Sequence, residues 1–318
     1  MMKEFMEKLN EDRFPITYEV PSPRGANVDD YLDHIKEYDF LENISAFNVC
    51  NNPVGLVRID PGPYAGKIKE KMGIDTIAHL TCRDSTIGGL QRWLLGAQSL
   101  GIKNILAMTG DYAVGDYPAE EKVDHINSLE LITGIKEYLN KGKLMPELSA
   151  RPHKTRNRYL NEIDEIEVST DFIVGGVILP GRSKEAGYAA RKVDAGSDFF
   201  QTQITYDHNE MLDFLEKLED RIERYPPVLI GTTPFQSPKQ MMELSDTIPQ
   251  VNIPDYVQKR LSKAEDFKSE SVEYTIEFYE KIKDGAEERG IKTKLGAHII
   301  PIRYEGKVNE IIRRISEL

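Results

Sequence analysis

The sequence predicts an α/β fold, a single (β/α)8 TIM barrel over residues 1–318 with insertions before the fifth and the eighth strand. Three observations favour this fold. Short β-branched runs alternate with amphipathic helical stretches in eight units. The strand candidates are nearly continuous apolar runs, as is typical of parallel strands buried on both faces. The chain length suits one barrel of roughly 250 residues plus insertions better than a doubly wound sheet.

The first four units fill the amino-terminal part of the chain. Their strand candidates are 15–20, 44–50, 75–82 and 104–111. Each of these runs precedes a helical segment. In the helix after the third strand, Leu90, Trp93, Leu94 and Ala97 recur at i, i+3, i+4 and i+7, which predicts one apolar stripe against the sheet.

The last four units repeat this rhythm. Their strand candidates are 171–179, 199–207, 227–234 and 292–302. A long helix is predicted after the sixth strand, through Tyr225. The last helix carries an apolar stripe of Val308, Ile311, Ile312, Ile315 and Leu318. The insertion at 143–170 contains a basic cluster, RPHKTRNR, and the insertion at 250–290 contains an additional helix.

Composition narrows the class of protein. Lys and Arg total 41 against 53 Asp and Glu, so the net charge of -12 disfavours a nucleic-acid partner. No apolar stretch reaches the roughly 18 residues that a membrane span needs. The amino terminus has no secretory pattern, which predicts a cytoplasmic protein. The two cysteines, Cys50 and Cys82, do not form a close pair, which fits a reducing compartment and disfavours a Cys-rich metal site.

Chemistry in this fold is expected at the carboxyl ends of the strands. The polar candidates there are Glu19, Cys50, Asn51, His79, Thr81, Asp111, Gln203, Asp207, Thr232, Thr233 and His298. Glu19 lies in an apolar string, where a partly buried carboxyl with a raised pKa would act as a general acid. A solvated acid at a strand end explains it equally well. Asp111 fits either a site or an ordinary Gly-Asp turn.

Other candidates are open in the same way. Gln203 offers an amide that fits a pterin or flavin ring edge, or one that neighbouring backbone satisfies. The two histidines lack helical metal spacing, so no metal is expected. Neither GxGxxG, a P-loop nor a G-x-S-x-G elbow is present. Arg191 and Lys192, judged from their helix alone, are expected to face solvent.

Five segments in order resemble the methylenetetrahydrofolate reductase family. They are ITYEVPSPR at 16–24, AHLTCRD at 78–84, GIKNILAMTGD at 101–111, ARKVDAGSDFFQTQITYD at 190–207 and GAHIIP at 296–301. The resemblance implies a (β/α)8 barrel with a non-covalent flavin, FAD ahead of FMN. It implies hydride transfer from a reduced nicotinamide to the flavin and then to the methylene carbon of a tetrahydropterin. It also leads us to expect a homo-oligomer.

The resemblance assigns roles by motif. Glu19 matches the glutamate that protonates the bridging nitrogen, Asp111 the aspartate that faces the pterin and the flavin, and Gln203 the glutamine that binds the pterin. The positions implied to bind the flavin are Cys50, His79, Thr109, Gly110, Asp111, Glu185, Tyr188, Arg191 and Lys192.

The chain also departs from the family pattern. Cys50 stands where the family usually has a threonine, Leu179 replaces an aromatic residue, and the loop after the fifth strand is shorter. The regulatory domain of larger members is not expected. Two alternatives stay open: the same chemistry on tetrahydromethanopterin, with a deazaflavin or a partner subunit as electron donor, and a non-catalytic pterin-binding subunit.

Overall fold

A computed structural model describes residues 4–11, 14–110, 123, 125–146, 165–248, 251–302 and 307–318. Eight parallel strands close into one barrel in sequence order. The ring is closed by pairing of the first strand with the last, with Thr17 opposite His298. The predicted (β/α)8 barrel is therefore confirmed, and so are the places of both insertions.

The strands are short, and at least one helix separates each strand from the next along the chain. The strands are β1 Ile16–Glu19, β2 Ala46–Val49, β3 Thr76–Thr81, β4 Asn104–Met108, β5 Ile173–Ile178, β6 Phe199–Ile204, β7 Val228–Thr232 and β8 Leu295–Ile299. The α-helices are α1 Phe5–Glu11, α2 Asp29–Lys36, α3 Pro61–Met72, α4 Ile87–Ser99, α5 Ser128–Glu137, α6 Glu185–Asp194, α7 His208–Glu219, α8 Pro238–Thr247, α9 Asp255–Lys263, α10 Phe267–Arg289 and α11 Val308–Ile315.

The main core lies between the strands and the surrounding helices. In α11 the predicted stripe residues Val308, Ile311, Ile312 and Ile315 are fully buried. Leu318 is only partly buried, because it lies beyond the end of the helix at Ile315. In α4, Leu90, Leu94 and Ala97 are buried as well. Trp93 is only partly buried, because its indole Nε1 donates to Asp60 Oδ1 at 2.7 Å near the surface.

A second, smaller core fills the floor of the barrel. It consists of Phe5, Leu9, Ala46, Ile77, Leu106, Phe199 and Leu229. The helix α1, which the strand and helix pattern did not predict, places Phe5 edge-on against Phe199 with 5.2 Å between the ring centroids. Asp75 Oδ2 accepts a hydrogen bond of 2.7 Å from the Phe5 backbone N–H and anchors the helix. The floor is therefore closed, and the open end lies at the carboxyl ends of the strands.

Two helical segments differ from expectation or extend the plain barrel. The helix α7 ends at Glu219 rather than running through Tyr225. Two prolines follow Tyr225 and disfavour helical backbone before them, and Arg224 bonds the carbonyls of Val193 and Ser197 beside α6. The insertion before β8 was expected to contain one additional helix but forms two, α9 and the long α10. Within the described part of the chain, no helix combines the length and apolarity that crossing a bilayer requires.

Candidate active site at the barrel mouth

Side chains of alternate strand residues point into the barrel. The inward set includes Thr17 and Glu19 on β1, Asn48 on β2, His79 and Thr81 on β3, Gln201 and Gln203 on β6 and His298 on β8. The floor below them is apolar, as described above. The middle and the mouth of the barrel are therefore polar, while both faces of the surrounding sheet remain buried.

Asn48 is the centre of a buried hydrogen-bond network. Its Oδ1 accepts from Gln201 Nε2 at 2.9 Å and from His79 Nε2 at 3.1 Å. Its Nδ2 donates to His298 Nδ1 at 3.1 Å. The network assigns the proton of His79 to Nε2 and the proton of His298 to Nε2 as well. It links strands on opposite sides of the barrel and holds both imidazoles in one orientation.

Both histidines are neutral. Burial lowers the pKa of His79 to about 3. Burial also lowers the pKa of His298 to about 3, with a smaller contribution from His79. Neither imidazole therefore supplies a positive charge to the mouth near neutral pH, and each acts through its hydrogen bonds.

Glu19 ends β1 and lies above this network. Its side chain is 23% exposed, and its Oε2 stands 3.9 Å from His298 Nε2. Burial raises the pKa of Glu19 to about 7, and a hydrogen bond with the Cys50 side chain opposes part of that rise. The Glu19 carboxyl therefore stays protonated to a higher pH than an exposed glutamate does. It also faces the opening of the barrel. This is the arrangement that a general acid needs.

Cys50 lies directly after β2 and is 8% exposed. One oxygen of Glu19, the Cys50 sulfur and one ring nitrogen of His79 all lie within 4.8 Å of one another. Three strands that are consecutive in the ring therefore bring three different ligand atoms to one point of the mouth. The sequence named all three residues, but it did not predict that they form a cluster.

The two glutamines of β6 have different surroundings. The sequence singled out Gln203, which is half-buried and accepts a 2.9 Å hydrogen bond from the Ile204 N–H through its own Oε1. Gln201, two residues earlier on the same face, was not singled out. Gln201 is 1% exposed, and its Oε1 has no hydrogen-bond partner among the described residues. The period of two in QTQ is the signal that would have found it.

The end of β4 makes a close turn beside the mouth. Gly110 has φ +98°, and a Cβ there would lie 2.9 Å from Arg83 Cβ and 3.1 Å from Thr81 Cβ. Glycine is therefore required at this position. The neighbouring Thr109 is exposed and its hydroxyl donates to Ser128 Oγ at 3.4 Å. Asp111 lies outside the described residues, as does the basic cluster 151–158, so their predicted roles stay predictions.

The predicted cofactor residues of α6 divide into two groups. Arg191 is exposed and lies over the Tyr188 ring, 4.9 Å from its centroid. Lys192 is 3% exposed, so the solvent-facing position expected for it is wrong. Its ammonium donates to the Val177 carbonyl and lies 4.7 Å from the Tyr188 centroid. Its stem packs on Gly176, where the absence of a side chain leaves the room.

A groove lies beside the amino end of α6. It has a volume of about 690 Å³ and is lined by the loop before α6, by α7 and by Tyr256 of α9. Glu185 in the first turn of α6 is 2% exposed, its pKa is raised by burial, and its Oε2 has no hydrogen-bond partner among the described residues. Lys184, the residue before the helix, has φ +67° and no side-chain cap bond. Polar groups of both signs thus face an open groove.

The fold and the site together define a (β/α)8 barrel with a polar, partly buried site at the carboxyl ends of its strands. Residues 4–316 match the family of methylenetetrahydrofolate reductase, and the chain belongs to this family. The Probable methylenetetrahydrofolate reductase (NADPH) of Caenorhabditis elegans is 22% identical over 99% of this chain and 44% of its own length. Methylenetetrahydrofolate reductase 2 of Schizosaccharomyces pombe is 23% identical over 79% of this chain and 37% of its own. The chain therefore spans less than half the length of these relatives.

A solved structure has the same fold. It is described as an uncharacterized protein from Clostridium thermocellum that binds two copies of 5-methyl-5,6,7,8-tetrahydrofolic acid. The two folds superpose with a TM-score of 0.66 at 16% identity, over 98% of this chain and 97% of the other. This likeness supports the barrel architecture along the whole chain.

Proposed function

We propose that this protein reduces the methylene group of a methylene-tetrahydropterin, tetrahydrofolate in the first instance, to a methyl group by means of a bound flavin. The observation that carries the proposal is the Glu19 carboxyl. It is partly buried at the barrel mouth, its pKa is raised by burial, and it lies above the buried hydrogen-bond network of Asn48. Membership in the family supports the reaction class. The folate ligand of the Clostridium thermocellum neighbour supports the class of substrate.

The residues near α6 fit a flavin. Glu185 Oε2 has no hydrogen bond among the described residues and lies 3.8 Å from Arg182 Nη1, so it offers an acceptor for a ribityl hydroxyl. The uncapped amino end of α6, with Arg182 nearby, suits a phosphate. In our proposal the flavin extends from this groove to the mouth, and it passes four further residues: Thr109, Gly110, Tyr188 and Arg191. Lys192 is engaged with Val177, so its contact with the cofactor requires the side chain to leave that bond.

When bound, a reduced flavin would supply the hydride, and a reduced nicotinamide would be the donor that reduces the flavin again. The protein supplies the proton and the positioning. Glu19 gives its proton to the bridging nitrogen of the substrate, the bond between that nitrogen and the methylene carbon opens, and the resulting iminium carbon accepts the hydride. His298 keeps its Nε2–H directed toward Glu19 because Asn48 and Thr17 hold its Nδ1. Gln203 at the mouth offers its amide to the pterin ring.

The substitution Glu19→Gln tests this function. Glutamine keeps the shape of the side chain but has no proton of suitable acidity, so we expect the rate of methylene reduction to fall by about 100-fold or more. The measurement is the rate of methyl-tetrahydropterin formation under saturating donor, with flavin content determined on the same sample. Glu42→Gln, which changes an exposed glutamate of equal charge far from the mouth, is the matched control.

An activity of Glu19→Gln within a few-fold of the parent would refute Glu19 as the acid. If the parent protein binds the tetrahydropterin but does not reduce it with any of the donors, this would instead support a non-catalytic pterin-binding subunit. Reduction with tetrahydromethanopterin only, or with a deazaflavin only, would identify the other alternative. Tests of the parent with both pterins and both donors therefore separate all three functions.

A further inference from the structure

We propose that Glu19, Cys50 and His79 form a binding site for Zn²⁺ at the barrel mouth. Their ligand atoms come from the ends of three neighbouring strands and lie within 4.8 Å of one another. The sequence has no helical metal-binding spacing around these residues. A barrel supplies ligands one per strand instead, so the spacing in sequence carries no signal.

The ligand types select the metal. Thiolate sulfur and imidazole nitrogen favour Zn²⁺ over Mg²⁺ and Ca²⁺, which prefer oxygen ligands throughout. A set of one carboxylate, one thiolate and one imidazole leaves the fourth tetrahedral position open, as in zinc sites that bind water or a substrate. Because Glu19 is partly exposed to the mouth, that open position would face the same entrance.

The geometry requires little rearrangement. Bonds to Zn²⁺ of about 2.0 to 2.3 Å place tetrahedral ligand atoms about 3 to 4 Å apart. From separations of 4.8 Å or less, each side chain needs to move by about 1 Å at most. Asn48 Oδ1 accepts the Nε2–H of His79 at 3.1 Å, so a metal bound through Nδ1 would leave that hydrogen bond in place. A ligating histidine whose other nitrogen donates to a fixed acceptor is the arrangement that zinc sites use.

Charge balance also favours the ion. When Zn²⁺ binds, one proton leaves the Cys50 thiol and one leaves the Glu19 carboxyl, and both protons pass to solvent. The complex of the dication with two anionic ligands and a neutral imidazole then has no net charge. Burying it at the mouth therefore costs less free energy than burying an isolated charge.

The Glu19 carboxylate would bind either the metal ion or the catalytic proton, but not both at once. The inference therefore goes beyond the proposed reduction, and Zn²⁺ binding is measured without pterin, flavin or donor. If the reductase proposal fails, the metal site is unaffected. If no metal binds, the role of Glu19 as an acid is unaffected.

The experiment measures binding of metal alone to the full chain. Protein freed of metal with a chelator is titrated with Zn²⁺ against a chromophoric competitor, and with Co²⁺ followed by its thiolate charge-transfer absorption. We expect one ion per chain and a thiolate band with Co²⁺. Cys50→Ser should abolish the band and weaken Zn²⁺ by more than about 100-fold, since even changes outside the ligand set cost about 10- to 100-fold.

Cys82→Ser is the matched control, because Cys82 is the second thiol, is fully buried and lies outside the cluster. It should keep both the band and the affinity. His79→Gln removes a second ligand and serves if Cys50→Ser does not fold, with circular dichroism as the check. Unchanged affinity in Cys50→Ser or His79→Gln, or a parent that binds no ion, would overturn the proposal.

Discussion

At the residue scale, Lys192 has a buried ammonium group, and burial disfavours its charged form. It lies between β5 and α6, is 3% exposed and donates to the Val177 carbonyl. Burial lowers the pKa of its ammonium to about 8, with Glu185 opposing part of that shift. The folded protein thus holds this proton less tightly than the unfolded chain, whose lysines have pKa values near 10.4.

This shift predicts a pH dependence of stability. Between about pH 8 and 10.4 the unfolded chain binds more protons at Lys192 than the folded protein, so stability rises with pH in this window. Lys192→Met removes the effect. From pH 7 to 10, we expect the parent to gain about 2 to 3 kcal/mol in free energy of unfolding relative to the variant.

Denaturant titrations at several pH values measure this difference. Lys217→Met, which removes an exposed lysine of α7, controls for the loss of one positive charge. A difference between parent and Lys192→Met that stays constant from pH 7 to 10 would contradict the assignment of a depressed pKa to Lys192.

At the scale of elements, the barrel floor depends on how closely β5 approaches β6. Gly175 and Phe199 are partners in the register of these strands. A Cβ at Gly175 would lie 2.3 Å from Phe199 Cζ, and the Phe199 ring already packs against Phe5 of α1. The glycine thus makes room for the aromatic pair that joins α1 to the barrel.

Gly175→Ala is therefore expected to destabilise the protein by about 1 to 3 kcal/mol, because the ring has no free space to move into. Thermal unfolding is the measurement. Gly187→Ala in α6 is the matched control, since nothing lies within 4 Å of a Cβ there and alanine favours helix. Equal unfolding temperatures for Gly175→Ala and the parent would show that α1 does not pack in the floor as described.

At the scale of the whole molecule, the polar mouth and the groove beside α6 belong to one face of the barrel. The groove is lined from the loop before α6, from α7 and from α9, so the second insertion contributes to its wall through Tyr256. A cofactor that extends from groove to mouth would be held by residues that are distant in sequence. Homo-oligomer formation and an electron-donor subunit stay predictions.

This layout predicts one flavin per chain, bound more weakly than in typical family members because Leu179 replaces an aromatic contact worth about 1 kcal/mol. Protein incubated with FAD or FMN and then desalted should absorb near about 450 nm, where oxidised flavins absorb. Arg191→Ala should lower the occupancy, whereas Arg313→Ala, an exposed arginine of α11, should not. A protein that stays colourless with both flavins would favour direct hydride transfer from the donor to the pterin.

The sequence alone determined the order of the eight strands and of the helices other than α1 and α9, because apolar periodicity is a local property of the chain. It also determined the candidates Glu19, Cys50, His79, Gln203 and His298, since residues at strand ends can be read one strand at a time. The resemblance to the family, which residues 4–316 confirm, came from five short segments in order.

Only the tertiary structure decided what these residues contact. The Asn48 network joins β2, β3, β6 and β8 across the barrel, and Gln201 lies 153 positions from Asn48 in the chain. The helix α1 could be placed only once the floor it fills was known. Lys192 is buried because β5 offers Gly176 beside it, and the cluster of Glu19, Cys50 and His79 exists because the ring brings β1, β2 and β3 together. Such contacts depend on closure of the barrel, which no local pattern encodes.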